Sequence, residues 1–216
     1  MEINISDIPS SYCKKTICLN MIVKNESSVI IETLQNLLSN INIDYWVISD
    51  TGSTDNTQDI IKDFFYDKCI PGELFTDEWR DFGYNRTRAL QHAYNKTDYL
   101  LVFDADDKIN GKLILPFLNM AKKDELLFDS YMLRIGKGFE YVRPLLINNK
   151  KKWEFKGVLH EYLSNLEEVS ASGKIDGDYY IESGRSGSRS LNPTKYYDDA
   201  IILEKAYEKE MLLPDQ

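Results

Sequence analysis

The apolar positions of this chain change their period along its length. Thr16 to Val23 is a mostly apolar, β-branched run of the kind that forms a buried parallel strand. Ser27 to Leu38 switches to helical spacing, with Val29, Ile30, Thr33, Leu34, Leu37 and Leu38 on one face. Tyr45 to Ser49 predicts a second buried strand, stopped by Asp50-Thr51-Gly52-Ser53. Thr54 or Asp55 can then cap a helix running to about Phe65. A third strand is expected near Glu73 to Phe75, a helix over Asn85 to Tyr94, a fourth strand over Tyr99 to Phe103, and a helix over Leu113 to Met120. Short apolar runs alternating with amphipathic helices are built of βαβ units.

From Ser130 the pattern becomes strict alternation, through Tyr131, Leu133 and Ile135 and again through Tyr141 to Leu146. Antiparallel strands therefore join the parallel ones. Gly184 to Ser190 reads as a Gly/Ser/Arg linker, and Pro193 precedes a helix from about Lys195 to Met211. Its apolar face, with Ala200, Ile201, Leu203, Ala206 and Tyr207, either begins a longer helical region or packs back on the domain. The expected class is α/β: a mixed, mainly parallel Rossmann-like sheet flanked by helices, with a C-terminal helical appendage. The divisions are an N-terminal extension over 1–15, a domain over 16–183, and a linker with helix over 184–216.

Composition narrows the function. A chain of 216 residues with 43% hydrophobic and 12% aromatic content can bury a large core, unlike a disordered one. Lys+Arg at 26 against Asp+Glu at 35 leaves a net charge of -9, which argues against a nucleic-acid partner. Lys150-Lys151-Lys152 is the one basic run and reads as a solvated loop. The N-terminus lacks the basic start and apolar run of a signal peptide, and no run approaches the ~20 apolar residues of a membrane span. Cys13, Cys18 and Cys69 are odd in number and scattered, as for reduced thiols. The sequons at Asn25 and Asn85 fall where a glycan would block the site described next. The Ile, Asn and Lys content suggests an AT-rich source; the expectation is a cytoplasmic protein, or, if that source is viral, one of host cytoplasm or virion.

Four polar clusters follow the predicted strands, where open α/β sheets bind ligands. Lys24-Asn25-Glu26 follows the first. Asp50 to Asp55 follows the second; Gly52 permits a tight turn, and Asp50 suits a base N–H or ribose hydroxyl, or else a plain helix cap. Asp81 to Arg88 opens a helix on which Asn85 and Arg88 share a face. Asp104-Ala105-Asp106-Asp107 follows the fourth strand. Three carboxylates within four residues repel one another unless a cation compensates, and oxygen ligands suit Mg²⁺ or Mn²⁺ bridging to a diphosphate. A calcium loop fits poorly, with Lys108 at a ligand position and Phe117 where Glu should close it. Further on, His160 offers an imidazole ligand and Glu161 a general base. His92 lies mid-helix with no polar cluster and reads as structural or exposed.

In this order, the segments resemble the family 2 glycosyltransferases of the GT-A fold. Leu19 to Glu26 is similar to the family's first strand and its Lys-Asn-Glu ending, and Asp50 to Thr57 to its Asp-x-Gly-Ser-x-Asp turn. Trp79 to Arg86 and Asp104 to Asp107 resemble two more blocks, the latter the Asp-x-Asp signature. Gly157-Val158-Leu159-His160-Glu161 resembles the acceptor-side block of a subgroup often followed by tetratricopeptide-like helices. The resemblance implies a nucleotide-sugar donor, most readily UDP-linked, held by Asn25, Glu26, Asp50, Ser53, Asn85, Arg86 and Asp104. It implies a metal, Mn²⁺ or Mg²⁺, on Asp104, Asp106 and His160. It also implies inverting transfer to an acceptor hydroxyl, with Glu161 or Asp107 as base and Asp176 a rival. The alternatives are a sugar nucleotidyltransferase, which lacks its phosphate loop between Met21 and Ser28, and a non-catalytic nucleotide-binding or scaffold module.

Overall fold

The computed structural model describes residues 14–115, 128–167 and 171–211. Its first half follows the expected alternation: β1 (Ile17–Val23), α1 (Ile30–Asn40), β2 (Tyr45–Asp50), α2 (Thr57–Asp67), β3 (Gly72–Thr76), α3 (Phe82–Ala93) and β4 (Tyr99–Val102). After it come β5 (Lys108–Gly111), β6 (Ser130–Ile135), β7 (Tyr141–Asn148), β8 (Trp153–Lys156), β9 (Tyr162–Asn165), β10 (Ser172–Lys174), β11 (Tyr179–Glu182) and α4 (Lys195–Met211).

Nine strands form one sheet in the order β3-β2-β1-β4-β7-β6-β11-β5, with β10 pairing β6. β1, β2, β3 and β4 run parallel, β7 is antiparallel to both β4 and β6, and β5 is antiparallel to β11. β8 and β9 make a separate hairpin. This is the mixed, mainly parallel sheet with flanking helices that the sequence predicts.

Period-2 alternation along β1 explains the two-sided packing. Leu19, Met21 and Val23 join Leu34 and Leu37 of α1 and Ile61 of α2 in one core, where Trp46 stacks on Phe65 at 4.6 Å. Cys18 faces the other way, into a core with Val47, Leu100, Leu90 and Ala93 of α3, and Ile147. Asn20 shares this second face and is fully buried, its amide donating to Val47 O and Ala89 O. Central strands buried on both faces leave their ends as the place where polar side chains can gather.

Three expectations need amendment. The helix expected over Leu113 to Met120 has no regular structure over 113–115, and its remainder lies outside the described residues. Cys13 lies outside them too. α3 begins at Phe82, before Asn85, because Asp81 caps it by accepting from Tyr84 N at 2.7 Å. No residue of α4 is fully buried, and Tyr196, Tyr197 and Tyr207 are exposed, so its apolar stripe is only partly covered. Among the described residues, no helix is long and apolar enough to cross a membrane.

Candidate functional site

The C-terminal ends of β1, β2 and β4 bring three of the four predicted clusters side by side. Asn25 takes a left-handed conformation (φ 56°) and welds the first two together. Its N–H donates to Ser53 Oγ at 2.9 Å, and its Oδ1 accepts from Thr54 N at 2.7 Å. Asp50 is fully buried, and its Oδ1 accepts from Gly52 N and Ser53 N. Its other oxygen, Oδ2, is buried with no hydrogen-bond partner. An unpaired buried carboxylate oxygen is costly, so this atom is an acceptor in want of a donor.

Beyond β4 the acidic residues separate. Asp104 turns to Arg86, whose Nη2 lies 2.6 Å from Asp104 Oδ1 and whose Nε lies 2.7 Å from Glu161 Oε1. The guanidinium side chain is 12% exposed and lies 5.7 Å from the Phe155 ring centre. Burial alone would raise the Asp104 carboxyl, but the charge and hydrogen bond of Arg86, with Arg143 behind them, hold it below the usual range. Asp107 is 6% exposed, and burial together with the charges of Asp104 and Asp106 pushes its carboxyl up to about 7. Glu26, half-buried, is also raised to about 7, first by burial and then by Asp106 and Asp55.

Asp106, Asp107 and Glu26 find their partners in the segment read as a linker. Gly187 N donates to Asp106 Oδ2, Gly184 N to Asp107 Oδ1, and Ser188 N to Glu26. Composition gave no warning, because a Gly/Ser/Arg run that ties carboxylates reads the same as one that spans a gap.

Two cavities flank the cluster. One of ≈ 240 Å³ is lined by Arg86, Asp104, Asp107, Arg143, Phe155 and Glu161, among others. The other, of ≈ 380 Å³, lies between the ends of β1 and β2, Trp79 and Phe82, and the C-terminal segment with Arg189. Trp79 opens the block that resembles the family's third; Arg143, Phe155 and Arg189 were not singled out from the sequence, since each lies on an element whose place beside the cluster depends on long-range pairing.

Some predicted residues sit elsewhere. Asn85 is fully buried, its Oδ1 accepting from Arg80 N and its Nδ2 donating to Glu78 O. Both ends are committed, so it shapes the loop before α3 and is no ligand group. Asp176 is 81% exposed, pairs with Lys174 and lines neither cavity, which removes it as a base. His92 is not isolated: Nε2 lies 2.9 Å from Asp77 Oδ2, and Asp77 also accepts from Ser49. His160, at φ 56°, is exposed on the turn before β9 and lines neither cavity.

Among the described residues, no three Asp, Glu, His or Cys side chains are already gathered as a metal-binding set. The donor chemistry nevertheless fits a hard divalent cation. Asp106 and Asp107 offer only oxygens, and the Asp107 carboxyl, raised first by burial and then by the charges of Asp104 and Asp106, is one whose ionised form such an ion would favour.

A family model described as glycosyl transferase family 2 matches residues 18–184. This chain belongs to that family. The matched stretch takes in every element that shapes the site except Gly187, Ser188, Arg189 and α4. No curated protein sequence matches the chain. Among solved structures, this family 2 domain is similar to S. aureus TarS 1–349 in complex with UDP-GlcNAc, at a TM-score of 0.59 and 18% identity over 87% of this chain and 65% of that one. TarS 1–349 without that ligand gives 0.55 and 18% over 85% and 62%. The mannosyltransferase PcManGT from Pyrobaculum calidifontis, in complex with GDP-Man and Mn²⁺, gives 0.46 and 18% over 60% and 39%. The chain thus spans less than two thirds of each of these structures.

Proposed function

We propose that this domain transfers a sugar, with inversion, from a UDP-linked donor to an acceptor hydroxyl in a divalent-metal-dependent reaction. The reading rests on family membership and on one observation above others. A buried acceptor at the end of β2, Asp50 Oδ2, and a buried carboxyl crowded by two other aspartates after β4, Asp107, border the same sheet edge. The first suits a base N–H or ribose hydroxyl; the second suits a cation. The TarS complex with UDP-GlcNAc makes a uridine donor the natural first candidate.

In this reading Asp106, with Asp104 and Asp107 beside it, would hold Mn²⁺ or Mg²⁺, which neutralises charge on a departing nucleoside diphosphate. Arg86 keeps Asp104 ionised and grips Glu161 at the same time, fixing the spacing between donor and acceptor sides. Glu161 is the assigned base, since it lines the cavity opposite the acidic turn and can take the acceptor proton on a carboxylate oxygen. Asp107 is the second candidate, in the arrangement where Asp104 and Asp106 hold the cation and its own carboxyl, near 7 without metal, is left to take the proton.

The test is titration of UDP, GDP and several nucleotide sugars with and without Mn²⁺, followed by donor hydrolysis or transfer. Asp106→Asn is expected to lower kcat by about 10²-fold or more. Full activity in that variant, with metal still required, would refute the assignment. Glu161→Gln should lose transfer while retaining UDP binding; if Asp107→Asn does this instead, the base is Asp107. Tight UDP binding with no turnover over a broad donor and acceptor panel would favour the scaffold reading. Pyrophosphate release from a nucleoside triphosphate and a sugar phosphate would favour the nucleotidyltransferase.

A further inference from the structure

The chemistry proposed above uses Asp106 and Asp107 but does not explain why the segment after β11 lies across them. Gly184 N donates to Asp107 Oδ1 at 2.9 Å and Gly187 N to Asp106 Oδ2 at 2.9 Å. Ser188 N lies 3.3 Å from each oxygen of Glu26, and its hydroxyl donates to Lys24 O at 2.8 Å. Gly184 has no room for a side chain, and at Gly187 a side chain would have to push two carboxylates aside. A Cβ at position 184 would fall 2.1 Å from Asp106 O. One at 187 would fall 2.9 Å from Asp106 Oδ2 and 3.1 Å from Glu26 Oε2. Gly187 therefore fills the gap between a carboxylate that follows β1 and one that follows β4. The far end of the segment is pinned by Arg189, which lies 4.1 Å over the Phe82 ring and is ion-paired with Asp199 of α4.

Backbone amides offer these carboxylates partial positive charge, where a divalent cation offers two full charges. Such a cation also needs oxygen ligands from water or phosphate on the open side of the carboxylates, at about 2.0–2.1 Å for Mg²⁺. That side is where Gly187 stands. We propose that Gly184–Arg189 is a latch that competes with the divalent cation: it closes on Glu26, Asp106 and Asp107 when the cation is absent and is displaced when the cation and its phosphate ligands enter. The inference rests on the metal-dependent reading above. Linkage makes it reciprocal: the factor by which the cation opens the latch is the factor by which an open latch tightens cation binding.

Trypsin reads the latch directly, because Arg185 is exposed and Arg189 half-buried. Cleavage after these two residues, identified by mass, is followed against Mn²⁺, while electron paramagnetic resonance of free Mn²⁺ measures binding without reference to turnover. Saturating Mn²⁺ should speed cleavage there by about tenfold or more, as expected when local opening limits the cut, and leave other sites unchanged. Gly187→Ala should be cut rapidly without Mn²⁺ and bind Mn²⁺ more tightly by about the same factor. Ser188→Ala keeps the backbone donors, loses only the hydroxyl contacts, and should move both readings the same way by less. Mn²⁺ bound with unchanged cleavage, or no gain in affinity for Gly187→Ala, overturns the latch and leaves the metal reading standing. Manganese bound by neither wild type nor variant overturns both.

Discussion

The sheet edge neutralises its carboxylates in two ways. On the α3 side a buried guanidinium, Arg86, bridges Asp104 and Glu161. On the C-terminal side backbone N–H groups approach Asp106, Asp107 and Glu26, joined at Glu26 by the uncharged Ser188 hydroxyl. The outcomes differ in sign. The Asp104 carboxyl stays below its ordinary range, whereas Asp107 and Glu26 are raised to about 7. A full charge holds its partner ionised at all physiological pH values, while partial charges do not offset burial and mutual repulsion. One flank is therefore a fixed scaffold, and the other is poised to accept positive charge.

The largest expected effect tests the fixed flank. Arg86→Gln removes, among the described residues, the cation that pairs directly with the buried Glu161 and with Asp104, whose side chain is 34% exposed and so keeps part of its hydration. Breaking a fully buried pair costs about 3–5 kcal/mol, and solvent at Asp104 trims this to about 2–4 kcal/mol. For a domain of this size, thermal melting should show a midpoint lowered by roughly 4–16 °C. A shift below about 2 °C would mean that solvent or Arg143 already supplies the compensation.

Asp107→Asn should act in the opposite direction. The amide keeps an oxygen for Gly184 N and removes one charge from a crowded trio. In metal-free protein at pH 8 it should stabilise by about 1–2 kcal/mol, with little gain at pH 5, where the native carboxyl is already protonated. Lowered stability at pH 8 would show that the charge is well solvated, and the contrast between the flanks would fail.

The pH dependence of the wild type follows by the same sign. Asp107 and Glu26 titrate near 7 in the folded chain and near 4 when unfolded. Between those values the native state binds more protons, so these groups contribute stability below about pH 4 that is lost as pH rises towards 7. Melting of metal-free protein from pH 5 to 8 should show this decline, made shallower by saturating Mn²⁺. A rise in midpoint over that window that Asp107→Asn does not alter would remove the carboxyl from the account.

How far the sequence reaches depends on the range of the interactions involved. β1 to β4 and their helices are legible because each is a local period: apolar residues two apart for a strand face, three and four apart for a helix face. The Asp50 turn and the Asp104 to Asp107 run are legible because residues adjacent in sequence carry the signal. The bridge from Arg86 to Glu161 joins residues 75 apart, and the bond from Gly187 to Asp106 joins residues 81 apart. No spacing rule reaches such pairs. Asn85 shows the converse error. Its place in a polar block suggested a ligand, but polarity does not say whether the partner is a substrate or the backbone of Glu78 and Arg80.

The smallest expected effect supplies the baseline for both flanks. Asp176 has a cation beside it, Lys174 at 3.0 Å, yet both side chains are more than half exposed. Water screens that pair and solvates each charge alone, so its net contribution falls within the 0–1 kcal/mol of surface ion pairs. Asp176→Asn should move the melting midpoint by no more than about 2 °C at any pH and leave donor turnover unchanged. If it instead matched Arg86→Gln in stability, proximity of opposite charges and not burial would govern these carboxylates. If it abolished transfer with the midpoint intact, the base would lie on the β10–β11 turn after all.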